Sequence, residues 1–248
     1  MKFSHLIAVA TFGGLTSWAA GAHAAPVFIG FQETGVNGGA ITNETPTAGD
    51  NGTATFTNVT YGNSTNGFFQ LSVSATGTPP LPEPDLLSNS LTATATHPGT
   101  ISIYVTETNQ FPTGFTAFQS LFAASLLEGG ETIIESTYVH ECAIPSSACV
   151  APSGGNNNDV FATTTLLSTT TFTSSGAVND FTSNGLPLAT TPYAETEVYT
   201  ITLPNQNESA TASITLQIGV PEPSSIALLG VALLGVGGVV RRRRRLGV

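Results

Sequence analysis

The chain is expected to fold as an all-β protein: a single antiparallel β-sandwich domain, with a cleaved N-terminal signal helix and a C-terminal single transmembrane helix. Three observations predict this. Apolar and hydroxyl residues alternate with period two in four clean segments, as half-buried antiparallel strands require. Turn dipeptides fall between the candidate strands. The two ends are apolar, and the only lysine and arginines of the 248 residues flank those ends.

At the N-terminus, Lys2 precedes an apolar stretch, Leu6–Trp18. Ala22-His23-Ala24 fits the small-residue cleavage rule, so residues 1–24 read as a secretory signal peptide, with Ala22 and Ala24 setting the cut. A β-rich domain over 25–219 and a tail over 220–248 follow.

Within the domain, Leu71, Val73 and Ala75 alternate with serines. Ile101, Ile103 and Val105 alternate with Ser102, Tyr104 and Thr106. Tyr199, Ile201 and Leu203 alternate with threonines, and so do Ile214, Leu216 and Ile218 with Thr215 and Gln217. Further strands are expected at Val27–Thr34, Thr53–Tyr61, Leu91–Thr96, Thr132–Glu141, Val160–Thr173 and Ala177–Thr182, about ten in all. Asn51-Gly52, Gly129-Gly130 and Asn184-Gly185 mark turns. Thr78–Asp85, with four prolines, reads as an extended loop. Phe115–Leu127 carries a helix-like aromatic stripe, yet its β-rich flanks favour a strand.

Charge narrows the function. Ala25–Val220 contains neither lysine nor arginine, and fifteen of the sixteen acids lie in it, Glu222 being the exception. Such a body repels phosphate backbones, which argues against nucleic-acid binding. It also lacks the cations used in phosphoryl transfer and Schiff-base chemistry.

Cys142 and Cys149 are the only cysteines, and in an exported chain their short spacing predicts a disulfide. Zinc at His140, Cys142 and Cys149 is the alternative, although a fourth ligand is missing. Gly154–Asp159 offers oxygen ligands suited to calcium, against the plainer reading of a Gly/Asn turn. No other metal or cofactor is expected. His97 precedes Pro98 and suits a surface position. Glu195 and Glu197, two apart on one strand, share a face and are the one carboxylate pair that a hydrolase would use. Without a triad, metal or cofactor motif, no enzyme activity is expected. Thr92, Thr94 and Thr96 form one flat threonine rank of the kind that binds ice. Five Asn-x-Ser/Thr triplets, Asn43-Glu44-Thr45 the first, follow from an Asn- and Thr-rich composition.

The tail carries three ordered elements: Pro221-Glu222-Pro223, the apolar run Ile226–Val240, and Arg241, Arg242, Arg243, Arg244 and Arg245. As a helix the run spans roughly 22 Å at 1.5 Å per residue, short of a ~30 Å hydrocarbon core. Arginine snorkelling and bilayer thinning cover part of that gap. The arginine cluster fixes topology, since cationic residues stay on the cytoplasmic side and leave the body outside. These 29 residues resemble the PEP-CTERM sorting signal of Gram-negative bacteria. The resemblance implies processing near Pro221, Glu222 and Pro223 by a membrane protease of the exosortase type. It also implies a body held transiently at the inner membrane on its periplasmic side, then delivered to the cell surface or the extracellular polysaccharide matrix. A structural or adhesive role facing glycans is the expectation, with a carboxylate hydrolase or an ice- or crystal-binding protein as alternatives.

Overall fold

A computed structural model describes residues 26–43, 52–63, 65, 67–77, 85–110, 117–126, 130–142, 149, 160–182 and 192–218. Among these, no helix is long and apolar enough to cross a membrane. The signal segment 1–24 and the apolar run 226–240 lie outside the described residues, as do Asn184-Gly185 and Gly154–Asp159.

The described chain forms twelve strands: β1 (Val27–Gln32), β2 (Thr42–Asn43), β3 (Thr53–Asn63), β4 (Gly67–Thr76), β5 (Asp85–His97), β6 (Gly99–Gln110), β7 (Phe118–Leu126), β8 (Thr132–Glu141), β9 (Thr165–Phe172), β10 (Gly176–Thr182), β11 (Tyr193–Leu203) and β12 (Ser209–Ile218). They make two six-stranded sheets. The first runs β2-β1-β6-β11-β8-β9 and the second β10-β7-β12-β5-β4-β3. Every pairing is antiparallel.

Period two sets the faces. On β6, Ile101, Ile103 and Val105 point into the sandwich, with Ser102 and Tyr104 outward. Opposite them, β12 sends in Ile214 and Leu216, and β4 sends in Phe69, Leu71 and Val73. These residues join one continuous apolar core with Ile29, Phe31, Phe122 and Ile201. Among the described residues that core runs from Val27 to Leu216.

Several boundaries differ from expectation. The strand expected at Leu91–Thr96 begins at Asp85, because Leu86 and Ser88 continue its inward face ahead of a register shift. Asp85 thus belongs to β5 and not to the proline loop. The strand expected over Val160–Thr173 starts only at Thr165, since Val160 and Phe161 sit in a turn and Phe161 has φ 64. The ambiguous aromatic segment is a strand, β7. Its helix-like stripe is also a period-two stripe, because Phe118 and Phe122 point inward with Ser120 and Ala124 between and beyond them.

The open sides are stitched by polar groups. Thr173–Ser175 carries the chain from β9 in the first sheet to β10 in the second. There Ser168 Oγ donates to Asp180 at 2.5 Å and Thr182 Oγ1 to the Leu167 carbonyl at 2.7 Å. On the other side, the Tyr61 hydroxyl of β3 donates to the Phe31 carbonyl of β1 at 3.2 Å. β3 itself carries a register shift between Phe56 and Val59, with Asn58 at φ 54, an irregularity that blunts an exposed edge.

Candidate functional site

Glu195 and Glu197 do share a face, and it is the inner one. Tyr193, Glu195, Glu197, Tyr199, Ile201 and Leu203 alternate along β11 with no exposure to solvent. Glu107 of β6 stands directly across from Glu195, and Glu135 of β8 across from Tyr199. Both are fully buried. Four carboxyls therefore face the second sheet from three adjacent strands. Gly77, at the end of β4, leaves room for one of them, since a Cβ there would come within 2.4 Å of the Glu107 carboxyl.

Burial dominates the electrostatics of this cluster. Desolvation pushes the Glu135 carboxyl up to about 9, against a lowering hydrogen bond from the Ala123 backbone. Glu197 is driven well above the usual carboxylate range, first by burial and then by the neighbouring Glu135 and Glu107, with its bond to Ser88 opposing. With no lysine or arginine in Ala25–Val220, no such counter-ion offsets the cost, so Glu135 and Glu197 take up protons. In this placement no substrate reaches Glu195 or Glu197, and a hydrolytic role for that pair has no access route. Among the described residues, no group of three His, Cys, Asp or Glu side chains is placed to hold a metal ion.

Cys142 and Cys149 form a disulfide with Cα atoms 5.1 Å apart. It packs against Ala194 of β11, and the Cys142 N–H bonds the Pro192 carbonyl at 3.0 Å. Both sulfurs are thereby used, which removes the zinc alternative. His140 instead bonds Thr164 through Nδ1 at 2.9 Å. His97 is exposed at the end of β5, edge-on to Phe68.

The outer faces are hydroxyl-lined. On the first sheet Thr100 pairs with Thr202 at 2.9 Å, Ser102 with Thr200 at 3.2 Å, and Ser136 with Thr169 at 2.8 Å. On the second, Thr94 Oγ1 donates to Ser209 at 3.0 Å and Thr55 bonds Ser74 at 3.3 Å. Thr92, Thr94 and Thr96 all point outward, as alternation requires. Cross-strand hydroxyl pairs of this kind stabilise each register modestly.

Two tyrosines interrupt the hydroxyls of the first sheet. Tyr104 lies opposite Val198, and Tyr138 opposite Thr196, so the rings flank β11 two strand spacings apart, roughly 10 Å. Both are half-buried. The Tyr104 hydroxyl donates to Gln32 Oε1 at 2.6 Å, and its ring meets Phe161 edge-on at 6.1 Å. Partial burial, then the nearby Tyr138, raises the Tyr104 phenol. Ile134 and Leu166 are exposed on the same face. Phe161 is seated on Gly30, the neighbour of Tyr104 in β1, where a Cβ would come within 2.9 Å of its ring. Sequence reading passed over both tyrosines. Tyr104 was already placed outward by the alternation of β6, and an aromatic ring on a hydroxyl face was the signal.

Among curated proteins nothing matches this chain. Among solved structures, one similar chain is that of TmCBM61 in complex with β-1,4-galactotriose. It has 9% sequence identity and a TM-score of 0.30, covering 61% of this chain and 88% of that one. A TM-score of that size does not establish a shared fold. At the C-terminus the match is of a different kind: residues 219–245 fit the family model of the PEP-CTERM protein-sorting motif, in the stretch that holds Pro221-Glu222-Pro223 and the five arginines.

Proposed function

We propose that this is an exported, non-enzymatic sandwich, handed by its PEP-CTERM tail to an exosortase-type protease and delivered to the cell surface or the extracellular matrix. There the outer face of its first sheet holds a neutral polysaccharide. One observation carries the glycan reading: Tyr104 and Tyr138 stand on a face of hydroxyls that bears no charged side chain in β6 or β11. Tyrosine offers an apolar ring to the C–H face of a sugar and a polar tip to its hydroxyls. Ser102, Thr200 and Thr202 both donate and accept. A body of fifteen acids without a base repels acidic polysaccharides, which leaves neutral ones.

The test is a screen of neutral glycans against the sandwich and its Tyr104→Ala/Tyr138→Ala variant. Stacking contributes about 0.5–1.5 kcal/mol per ring, so the double variant should bind about fivefold or more weakly while remaining folded, with some stability lost because Tyr104 also bonds Gln32 and packs on Phe161. Binding that survives the double substitution, or binding to no neutral glycan, sinks the reading. A glycosidase and esterase panel should show no turnover.

The sorting reading has its own test in trypsin, which cuts after lysine and arginine. A chain that has lost residues 1–24 and been trimmed at Pro221-Glu222-Pro223 contains neither residue. Its intact mass should survive trypsin even after denaturation. A mature extracellular protein that still loses an Arg241–Arg245 end to trypsin would make the tail a permanent anchor.

A further inference from the structure

Four polar contacts join the two sheets at one point in the core. Ser88 Oγ of β5 meets both the Glu197 carboxyl and the Tyr199 hydroxyl of β11. Tyr199 Oη also donates to the Ser88 carbonyl at 3.2 Å, and accepts the Ile214 N–H of β12 at 2.7 Å. That N–H sits at the register shift between Ala212 and Ile214, where β12 steps past β5. All four residues are buried.

The hydrogens in this knot can be counted. With Glu197 ionised, the Ser88 hydroxyl, the Tyr199 hydroxyl and the Ile214 amide supply three hydrogens for four contacts. With Glu197 protonated there are four, one for each. Glu197 then donates to Ser88 Oγ, Ser88 to Tyr199 Oη, Tyr199 to the Ser88 carbonyl, and Ile214 to Tyr199 Oη. Every acceptor is used within its lone-pair capacity.

We infer that Glu197 is held as the neutral acid and that its proton is a latch between the sheets, so the sandwich loosens along the β11–β5 seam when that proton is removed. The surroundings offer no substitute for it. Facing Glu197 are Glu107 from β6, Glu135 from β8, and Glu195 and Tyr199 from its own strand. From the second sheet, the described inward side chains of β4, β5, β7 and β12 are apolar apart from Ser88 and Ser120, and none of them titrates. The charged form of Glu197 would meet other acids, with only the Ser88 hydroxyl and the Leu216 backbone to set against its burial. Burial accordingly drives this carboxyl far above its ordinary range.

The sign follows from proton counting. A carboxyl that binds its proton more tightly folded than unfolded favours the fold at low pH, and loses that advantage as pH rises toward the folded value. Each such group shifts the unfolding equilibrium about tenfold per pH unit across that window.

The experiment uses the full chain in infrared spectroscopy and in denaturant unfolding across about pH 5 to pH 9. At neutral pH a protonated-carboxyl C=O absorption should be present, and Glu197→Gln should diminish it. The same variant should reduce the pH slope of the unfolding constant by about tenfold per pH unit, one proton's worth. Ser88→Ala keeps the acid but removes its acceptor, and should move the absorption to the higher frequency of an unbonded acid. Absence of a protonated-carboxyl band at pH 7 in the unmutated sandwich overturns the inference, whatever the variants do. So does a Glu197→Gln protein with an unaltered band and slope. Should that variant not fold, the infrared titration of the unmutated sandwich and the Ser88→Ala shift still decide the matter.

Discussion

Glu135→Gln is expected to stabilise the sandwich at pH 7 by about 2–3 kcal/mol while leaving it nearly unchanged at pH 4. Burial lifts the Glu135 carboxyl from its ordinary 4.5 to about 9. The folded state thus holds a proton that the unfolded chain gives up above pH 4.5. Between those values stability falls as pH rises, by about 1.4 kcal/mol per unit. At pH 7 the accumulated loss is roughly 3 kcal/mol by the same relation. Glutamine matches the shape of the neutral acid and has no proton to lose. Denaturant unfolding at pH 4 and pH 7 checks both halves. A variant no more stable than the parent at pH 7 would mean that Glu135 is not paying to stay protonated.

Gly30→Val should act in the opposite direction, lowering stability by about 1–3 kcal/mol, the usual range for overpacking. A Cβ at Gly30 comes within 2.7 Å of Ile41 Cγ2 and 2.9 Å of the Phe161 ring, and valine extends further. Phe161 already occupies the left-handed region, φ 64, which is uncommon for a bulky residue and costs on the order of 1–3 kcal/mol. The seat on Gly30 offsets that strain. With the seat filled, the turn at Val160–Phe161 should lift from the sheet and expose Tyr104. A double-mutant cycle with Phe161→Ala isolates the pair: once the ring is gone, valine should cost less, the clash with Ile41 remaining. Equal costs in both backgrounds would show that ring and glycine do not meet.

Strand parity was the most legible part of this fold. Tyr199, Ile201 and Leu203 marked the inward face of β11, and the same parity carried back two and four residues lands on Glu197 and Glu195. Their burial was therefore within reach of the pattern, yet the pair was weighed only as carboxylates that a hydrolase would use. What parity cannot supply is which strands are neighbours. Glu107 and Glu135 lie far from Glu195 in sequence and reach it only because β11 sits between β6 and β8. The seat of Phe161 on Gly30 is equally remote, and its left-handed backbone leaves no mark on a strand pattern. β9 and β10 were sound as separate strands. Their short connection favours a hairpin locally, whereas the requirement to close the side of the sandwich sends them to different sheets.

The place where β12 stops has a consequence for handling in the cell. β12 is an interior strand, held by β7 on one flank and β5 on the other, and its last residue is Ile218. Only residues 219 and 220 separate it from Pro221. A fully extended chain spans at most about 3.6 Å per residue, so the leash from folded wall to Pro-Glu-Pro is on the order of 10 Å. It cannot be paid out further without tearing two ladders. The end of the sandwich from which it hangs is the one where Ile218 pairs with Phe118, Phe118 meets Tyr193, and Tyr193 pairs with Glu141 beside the disulfide. The tail therefore leaves the sandwich at its disulfide end. A cut at Pro221-Glu222-Pro223 would leave only residues 219 and 220 between the last strand and the motif.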